Sequence, residues 1–143
     1  MEQLTAFIAN HQMLVMAFLV ITGLLIWNFI SDNLQGVKNL LPFEATLLMN
    51  HDDALIIDVR EESEYKQGHI LNSINIPSGM LSDKIGRLEK YRDQPIIISC
   101  LSGNRSVQAY KILKNNGFSK LFNLKGGIIA WQNSNLPLVK GKE

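Results

Sequence analysis

A single cysteine, Cys100, lies in a segment whose residue types could carry out nucleophilic chemistry. An apolar run ends just before it, and the segment reads Cys100-Leu101-Ser102-Gly103-Asn104-Arg105-Ser106. A thiolate is a strong nucleophile, and a neighbouring arginine or a helix N-terminus favours the thiolate over the thiol. Arg105 supplies such a cation, and Gly103 permits the backbone conformation that a tight turn requires. The alternative for a lone cysteine is a small buried apolar side chain, but these neighbours favour a catalytic Cys100.

The strand before this segment and the helix after it must position the cysteine. Pro95–Ser99 is the most apolar of the predicted strands and is expected to be central, and Val107–Asn115 has a helical pattern. Ligands of open α/β sheets collect at the carboxyl ends of the strands. The N–H groups of a tight loop and of the following helix can bind an anion there. The residues therefore predict an anion site around Cys100.

Strands and helices alternate through the rest of the chain after residue 36, which predicts an α/β fold with a mainly parallel sheet flanked by helices. The other predicted strands are Val37–Leu40, Ala54–Val59, Ser73–Ile76 and Lys120–Leu124. The other predicted helices are Pro42–Asn50, Glu61–Gln67 with Gly68 as its C-cap, one within Leu81–Tyr91, and one that begins at Gly126-Gly127 and runs through Trp131.

The N-terminal part of the chain has a different composition. No charged residue occurs between Glu2 and Asp32, and Met13–Ile30 is almost entirely apolar. A helix of this length rises about 27 Å, close to the thickness of a hydrocarbon core. We therefore predict an N-terminal flank (1–12), a transmembrane helix (13–30), a linker (31–36) and one domain (37–143).

Two alternatives to a membrane anchor are a cleaved signal peptide and a buried core helix. The flank has no Lys or Arg and the run is not followed by a small-residue cleavage site, which disfavours a signal peptide. Because basic residues occur only on the C-terminal side of the run, the N-terminus is expected outside and the domain in the cytoplasm.

Composition excludes several classes of function. The net charge of +1 gives no electrostatic case for a nucleic-acid partner. One cysteine excludes an intramolecular disulfide and a zinc site of several thiolates, so no metal site is predicted.

Five ordered motifs resemble those of the rhodanese family of sulfurtransferases. They are Asp58-Val59-Arg60, Gly68-His69-Ile70 with Ser73-Ile74-Asn75-Ile76-Pro77, the loop Cys-x-x-Gly-x-Arg-Ser at 100–106, Gly117-Phe118, and Leu124-Lys125-Gly126-Gly127 with Trp131. The resemblance covers roughly residues 38–139. Together with the apolar N-terminal helix, it indicates a membrane-anchored, single-pass protein of the bacterial inner membrane.

The resemblance implies a two-step transfer of sulfur. Cys100 would take the outer sulfur of a small anionic donor, thiosulfate or a persulfide, and pass it to a thiol, or to cyanide in an assay. The N–H groups of residues 101–106 would bind the substrate and stabilise the persulfide. No cofactor is implied, because the sulfur of the protein is the carrier.

The resemblance also narrows the substrate and assigns supporting residues. The phosphatases that share this fold place five residues between Cys and Arg, whereas this loop has four, which favours sulfur over phosphate. Leu101 departs from the glycine of mercaptopyruvate-specific relatives. Asp58 and Arg60 are expected to form a charge pair or capping network that supports the loop, with pocket lining as the alternative. His69 is expected to be structural, and the carboxylates Glu61, Glu62 and Glu64 are expected to form a solvated helix face.

Two other functions fit the same residues. One is a non-catalytic rhodanese-fold module that holds a partner at the membrane, which the complete Cys, Gly and Arg loop disfavours. The other is a redox or polysulfide sensor based on Cys100.

Overall fold

A computed structural model of the chain describes residue 7, residues 9–34 and residues 36–141, and for residues 28–34 it describes the backbone alone. Most of the predicted N-terminal flank, one residue of the predicted linker and residues 142–143 therefore lie outside the described part. The described residues form two compact units that divide after Gly36.

The first unit contains a helix, α1, at Gln12–Leu34. Apolar side chains along it are exposed, among them Met13, Phe18 and Trp27. The helix continues four residues beyond Ile30, so the backbone of residues 31–34, which the sequence assigns to a linker, is helical. Among the residues whose side chains the structure describes, no helix combines the length and the apolar character that crossing a membrane requires.

The second unit is built on a five-stranded sheet whose paired strands are all parallel. The strands are β1 (Asn39–Leu40), β2 (Leu55–Asp58), β3 (Ser73–Asn75), β4 (Ile96–Ser99) and β5 (Leu121–Leu124). Their order in the sheet is β1-β5-β4-β2-β3, so β4 is central and β1 is at one edge. The predicted α/β class, the parallel sheet and the central position of β4 are confirmed.

Helices connect the strands. They are α2 (Pro42–His51), α3 (Glu62–Gln67), α4 (Leu81–Lys84), α5 (Asn104–Asn115) and α6 (Gly127–Asn133), and two 3₁₀ helices lie at Ser78–Met80 and Ile85–Tyr91.

Alternate residues of the central strands face opposite sides of the sheet. Ile57 and Ile98 pack in one cluster with residues of α5, whereas Ile56 and Ile97 pack in a second cluster with residues of α2 and α6. Because helices cover both faces, both sets of side chains are apolar. This is why the central strands appear in the sequence as uninterrupted apolar runs.

Two element boundaries in the second unit differ from the prediction by more than two residues. The helix predicted within Leu81–Tyr91 is an α-helix only as far as Lys84 and continues as a 3₁₀ helix, with Gly86, a weak helix former, near the change. The helix predicted from Val107 begins three residues earlier, at Asn104, because Gly103 adopts a left-handed conformation immediately before it.

Candidate active site

Cys100 lies immediately after β4, at the carboxyl edge of the central strand. β2 and β4 are paired so that Asp58 lies beside Ser99, and this register brings the Asp58 motif next to the cysteine loop. The side chain of Cys100 is almost fully buried, with 1% of the residue exposed. The sheet thus presents one thiol, held inside the loop, at the edge where ligands of such folds bind.

The loop folds back on the sulfur of Cys100. The N–H of Gly103 donates to Cys100 Sγ at 3.1 Å, and Ser106 Oγ lies 3.4 Å from the same sulfur. Gly103 has a φ of +100°, and a Cβ at this position would lie 3.3 Å from the Gly126 nitrogen. The positive φ therefore favours glycine in this turn, and a Cβ would also crowd the backbone of Gly126.

These contacts lower the pKa of the Cys100 thiol. Burial acts in the opposite direction and is the largest single influence, because it penalises the charged form. The Ser106 hydroxyl and the backbone N–H groups of Ser106, Gly103 and Ser102 together outweigh it. Hydrogen bonds to the thiolate therefore hold a larger reactive fraction near neutral pH than an ordinary cysteine has.

The start of α6 is hydrogen-bonded to the backbone of the cysteine loop. The N–H of Ile128 donates to the carbonyl of Cys100 at 2.8 Å, and that of Ile129 donates to the carbonyl of Leu101 at 3.1 Å. Gly127 makes this approach possible, because a Cβ there would lie 2.2 Å from the Cys100 oxygen. The Gly126-Gly127 pair, which the sequence places at the start of a helix, therefore lies directly against the backbone of the cysteine loop.

Arg105 forms a two-pronged ion pair with Glu64 of α3. Its Nη1 and Nη2 each lie 2.8 Å from a different carboxylate oxygen, and both side chains are about one-third exposed, at 35% and 30%. The pairing lowers the pKa of Glu64 and raises that of Arg105, chiefly through these hydrogen bonds. The prediction that Glu64 belongs to a solvated helix face is wrong, because its carboxylate is engaged with the end of the cysteine loop.

Asp58 and Arg60 form the charge pair that the sequence suggests. Arg60 Nη2 lies 2.6 Å from Asp58 Oδ2 and also donates to the carbonyl of Gly68 at 2.7 Å. The side-chain amide of Asn75 donates to the main-chain carbonyls of both Asp58 and Arg60, at 3.0 and 2.9 Å. Sequence reasoning did not identify this role of Asn75. Asn75 thereby ties β3 to the end of β2, where the buried charge pair lies.

His69 takes no part in this constellation. Its ring stacks on Tyr65 with centroids 3.7 Å apart, and its Nδ1 lies 2.9 Å from the Tyr65 carbonyl oxygen. None of the contacts among the described residues joins it to Cys100. The structural role predicted for His69 is confirmed.

The predicted substrate-binding residues lie together in one loop, but they differ in exposure. Leu101, Ser102 and Asn104 are exposed, whereas Gly103 and Ser106 are buried. A groove of ≈ 410 Å³ lies beside this loop, and Leu101, Glu64 and Arg60 are among the residues that line it. A ligand in the groove would therefore be close to the Glu64 carboxylate.

The fold and the cysteine loop define the class of protein to which the chain belongs. It is a member of the rhodanese-like domain family, which matches residues 42–134. The predicted family is therefore confirmed.

Particular relatives extend the similarity. The protein named uncharacterized protein YibN from Escherichia coli strain K12 is 34% identical over 143 residues, which are 99% of this chain and 100% of that protein. A protein of Allochromatium vinosum named sulfurtransferase is 37% identical over 92 residues, 64% of this chain and 84% of the relative. The crystal structure of a rhodanese-related protein from Thermoplasma volcanium superposes with a TM-score of 0.65 at 32% identity, over 71% of this chain and 97% of that one.

Proposed function

We propose that this chain is a sulfurtransferase that moves a sulfane sulfur from thiosulfate or a persulfide to a thiol through a persulfide on Cys100. One observation carries the proposal: the only thiol of the chain is held at the carboxyl end of the central strand and accepts a backbone N–H at 3.1 Å. Backbone N–H donors around a buried sulfur suit a cysteine that alternates between thiolate and persulfide, since both forms carry negative charge. The similarity to a protein named sulfurtransferase supports this choice.

In the first step, the Cys100 thiolate attacks the outer sulfur of thiosulfate. A new S–S bond forms, the S–S bond of the donor breaks, and its electron pair leaves with sulfite. In the second step, an acceptor thiolate attacks the outer sulfur of the protein persulfide. The acceptor becomes a persulfide and Cys100 returns to the thiolate, so that neither step needs an oxidant or a reductant.

The proposal includes attachment to a membrane. Residues 13–30 would span the bacterial inner membrane, with the rhodanese-like domain on the cytoplasmic side. The exposed apolar side chains of α1 support attachment, and the absence of Lys and Arg before the run supports the orientation.

The test is sulfur transfer from thiosulfate to cyanide by the full chain in a mild detergent. Wild-type protein is compared with Cys100→Ser, which differs by one atom. We expect turnover and, by intact mass, one added sulfur on the wild type, and neither on the variant.

A wild-type chain that gains no sulfur from thiosulfate, polysulfide or mercaptopyruvate, although Cys100 reacts with a small alkylating agent, would exclude the enzyme. Reversible oxidation of Cys100 without transfer would then support the sensor, and a Cys100 that is neither oxidised nor loaded with sulfur would support the tethered interaction module.

A further inference from the structure

Arg105 is the only charged residue in the loop from Cys100 to Ser106, and its charge is already compensated. The fork geometry with Glu64 uses Nη1 and Nη2 and both carboxylate oxygens, at 2.8 Å each. Two parallel hydrogen bonds between opposite charges are the strongest arrangement that this pair of side chains can adopt. The guanidinium is therefore bound by the protein before any donor arrives.

The other charged groups near the loop do not replace this cation. Arg60 lines the groove beside the loop, but its charge is balanced by Asp58, with which it makes three side-chain hydrogen bonds. Lys140 also lines the groove and is exposed, where solvent screens it. The charge that an incoming donor meets at Cys100 therefore depends mainly on whether Glu64 cancels Arg105.

We propose that Glu64 is a positioning residue that sets donor specificity: it holds and neutralises Arg105, so that the loop favours small hydropersulfides over doubly charged thiosulfate. The inference rests on the proposed sulfur transfer and assigns its preferred substrate class.

The two donor classes react by the same bond changes but differ in charge. With a hydropersulfide, the thiolate attacks the outer sulfur of R–S–S–H, leaves Cys100 as –S–S–H and expels R–S⁻. With thiosulfate, a dianion must approach the anionic Cys100 and leaves as the sulfite dianion. An Arg105 without a partner would lower the electrostatic cost of bringing thiosulfate to Cys100 much more than that of bringing a hydropersulfide.

The first experiment measures the local charge without using the activity. Cys100 is the only cysteine, so its alkylation by iodoacetate, which is anionic, and by iodoacetamide, which is neutral, can be followed in the full chain by mass. The quantity of interest is the rate with iodoacetate divided by the rate with iodoacetamide. Any change in the thiolate fraction cancels in this ratio, because both reagents need the thiolate. We expect Glu64→Gln to raise this ratio about three- to tenfold and Arg105→Gln to lower it by a similar factor.

The double variant makes the test specific to charge. Glu64→Gln with Arg105→Gln removes one charge of each sign, so its ratio should return to within about twofold of the wild type. If the pair had only a structural role, the alkylation ratio would shift in the same direction in all three variants. Glu89→Gln is the matched control, because Glu89 forms a similar fork with Arg92, at 2.9 and 2.6 Å, between exposed side chains at the end of the second 3₁₀ helix. It should leave the ratio unchanged.

Unchanged ratios in Glu64→Gln and in Arg105→Gln, with Cys100 still alkylated, would overturn the proposal whether or not the chain transfers sulfur. If Glu64→Gln loses its near-UV circular dichroism, the same comparison is made with Arg105→Gln alone.

The second experiment compares donors. In Glu64→Gln we expect kcat/KM for thiosulfate to rise by about the same factor as the alkylation ratio, mostly through a lower KM, and kcat/KM for a small alkyl hydropersulfide to change less than about twofold. Equal changes for both donors would contradict a role in specificity. Absence of transfer from either donor would contradict the proposed function and leave the alkylation result standing.

Discussion

The sulfur of Cys100 and the carbonyl of Gly103 compete for one proton. Ser106 Oγ lies 2.9 Å from the Gly103 oxygen and 3.4 Å from Cys100 Sγ, and a hydroxyl can donate to only one of them. In the thiol form, Cys100 can donate to Ser106, and Ser106 to Gly103. A thiolate can only accept, so Ser106 can hydrogen-bond to it only by turning its proton from the Gly103 oxygen to the sulfur.

Replacing Ser106 by Ala should therefore raise the pKa of Cys100. The folded protein now holds this pKa below its ordinary value, so the thiolate is present at a lower pH than in an unfolded chain. Without the hydroxyl, the pH profile of alkylation by iodoacetamide should move to higher pH, and the rate at pH 7 should fall roughly tenfold or more, since a hydrogen bond to a charged group contributes about 1.5 kcal/mol or more.

Ser106→Thr keeps the hydroxyl and should stay near the wild-type profile. Ser134→Ala removes an exposed hydroxyl immediately after α6 and serves as the control. A profile of Ser106→Ala that coincides with the wild type would show that the backbone N–H groups stabilise the thiolate without help from this side chain.

Separation along the chain decides which side-chain pairs could be predicted. Asp58 and Arg60 are two residues apart at one strand end, and their pairing follows from the sequence. Glu64 and Arg105 are separated by 41 positions and belong to different helices. Their contact depends on where α3 lies relative to the loop, and a charged α3 with a glutamate in its first turn is equally compatible with a solvated face.

Among the elements, α6 and the cysteine loop are fastened by two backbone hydrogen bonds, from Ile128 and Ile129 to the carbonyls of Cys100 and Leu101. The parallel pairing of β4 with β5 brings these segments together, since both follow neighbouring strands at the same edge. The sequence identified Gly126-Gly127 as the start of a helix. It could not identify the Cys100 carbonyl as the partner, because that contact depends on which strands are neighbours.

Gly127→Ala should disrupt this junction. The added methyl would lie 2.2 Å from the Cys100 oxygen and 2.7 Å from Leu101 backbone atoms, and the φ of +58° is itself unfavourable for alanine. Backbone must move to relieve the overlap, so we expect a loss of about 2 kcal/mol or more in the free energy of unfolding, together with impaired sulfur transfer. Urea unfolding of the full chain, followed by near-UV circular dichroism, measures the first effect.

Gly86→Ala is the matched substitution, because nothing lies within 4 Å of its added Cβ and its φ is not positive. It should be neutral or slightly stabilising. Equal unfolding free energies for the two variants would mean that the loop can shift away from α6 without cost.

Over the whole chain, the residues of the candidate site and the exposed apolar helix belong to different units. Cys100 and its supporting residues all lie in the unit that begins at Val37, which contains the complete family match. The family was predictable because its motifs occur in order at strand ends, where local sequence determines the backbone. The site described above contains no residue of the first unit. We therefore attribute the exposed apolar side chains of α1 to attachment of the chain to a membrane.

Charges placed in the middle of α1 test whether this helix attaches the chain to a membrane. Val20→Lys with Leu24→Lys puts two cations one helical turn apart within the apolar run, at a cost of about 5 kcal/mol or more for insertion into a bilayer. We expect the wild-type chain to remain with bacterial membranes after washing at high salt and at high pH, and the variant to be released. Gln108→Lys with Asn115→Lys adds the same charge at exposed positions of α5 and should stay with the membranes. Release of the wild-type chain under the same washes would contradict membrane anchoring by residues 13–30. Retention of the Val20→Lys/Leu24→Lys variant would mean that the chain is attached through other residues.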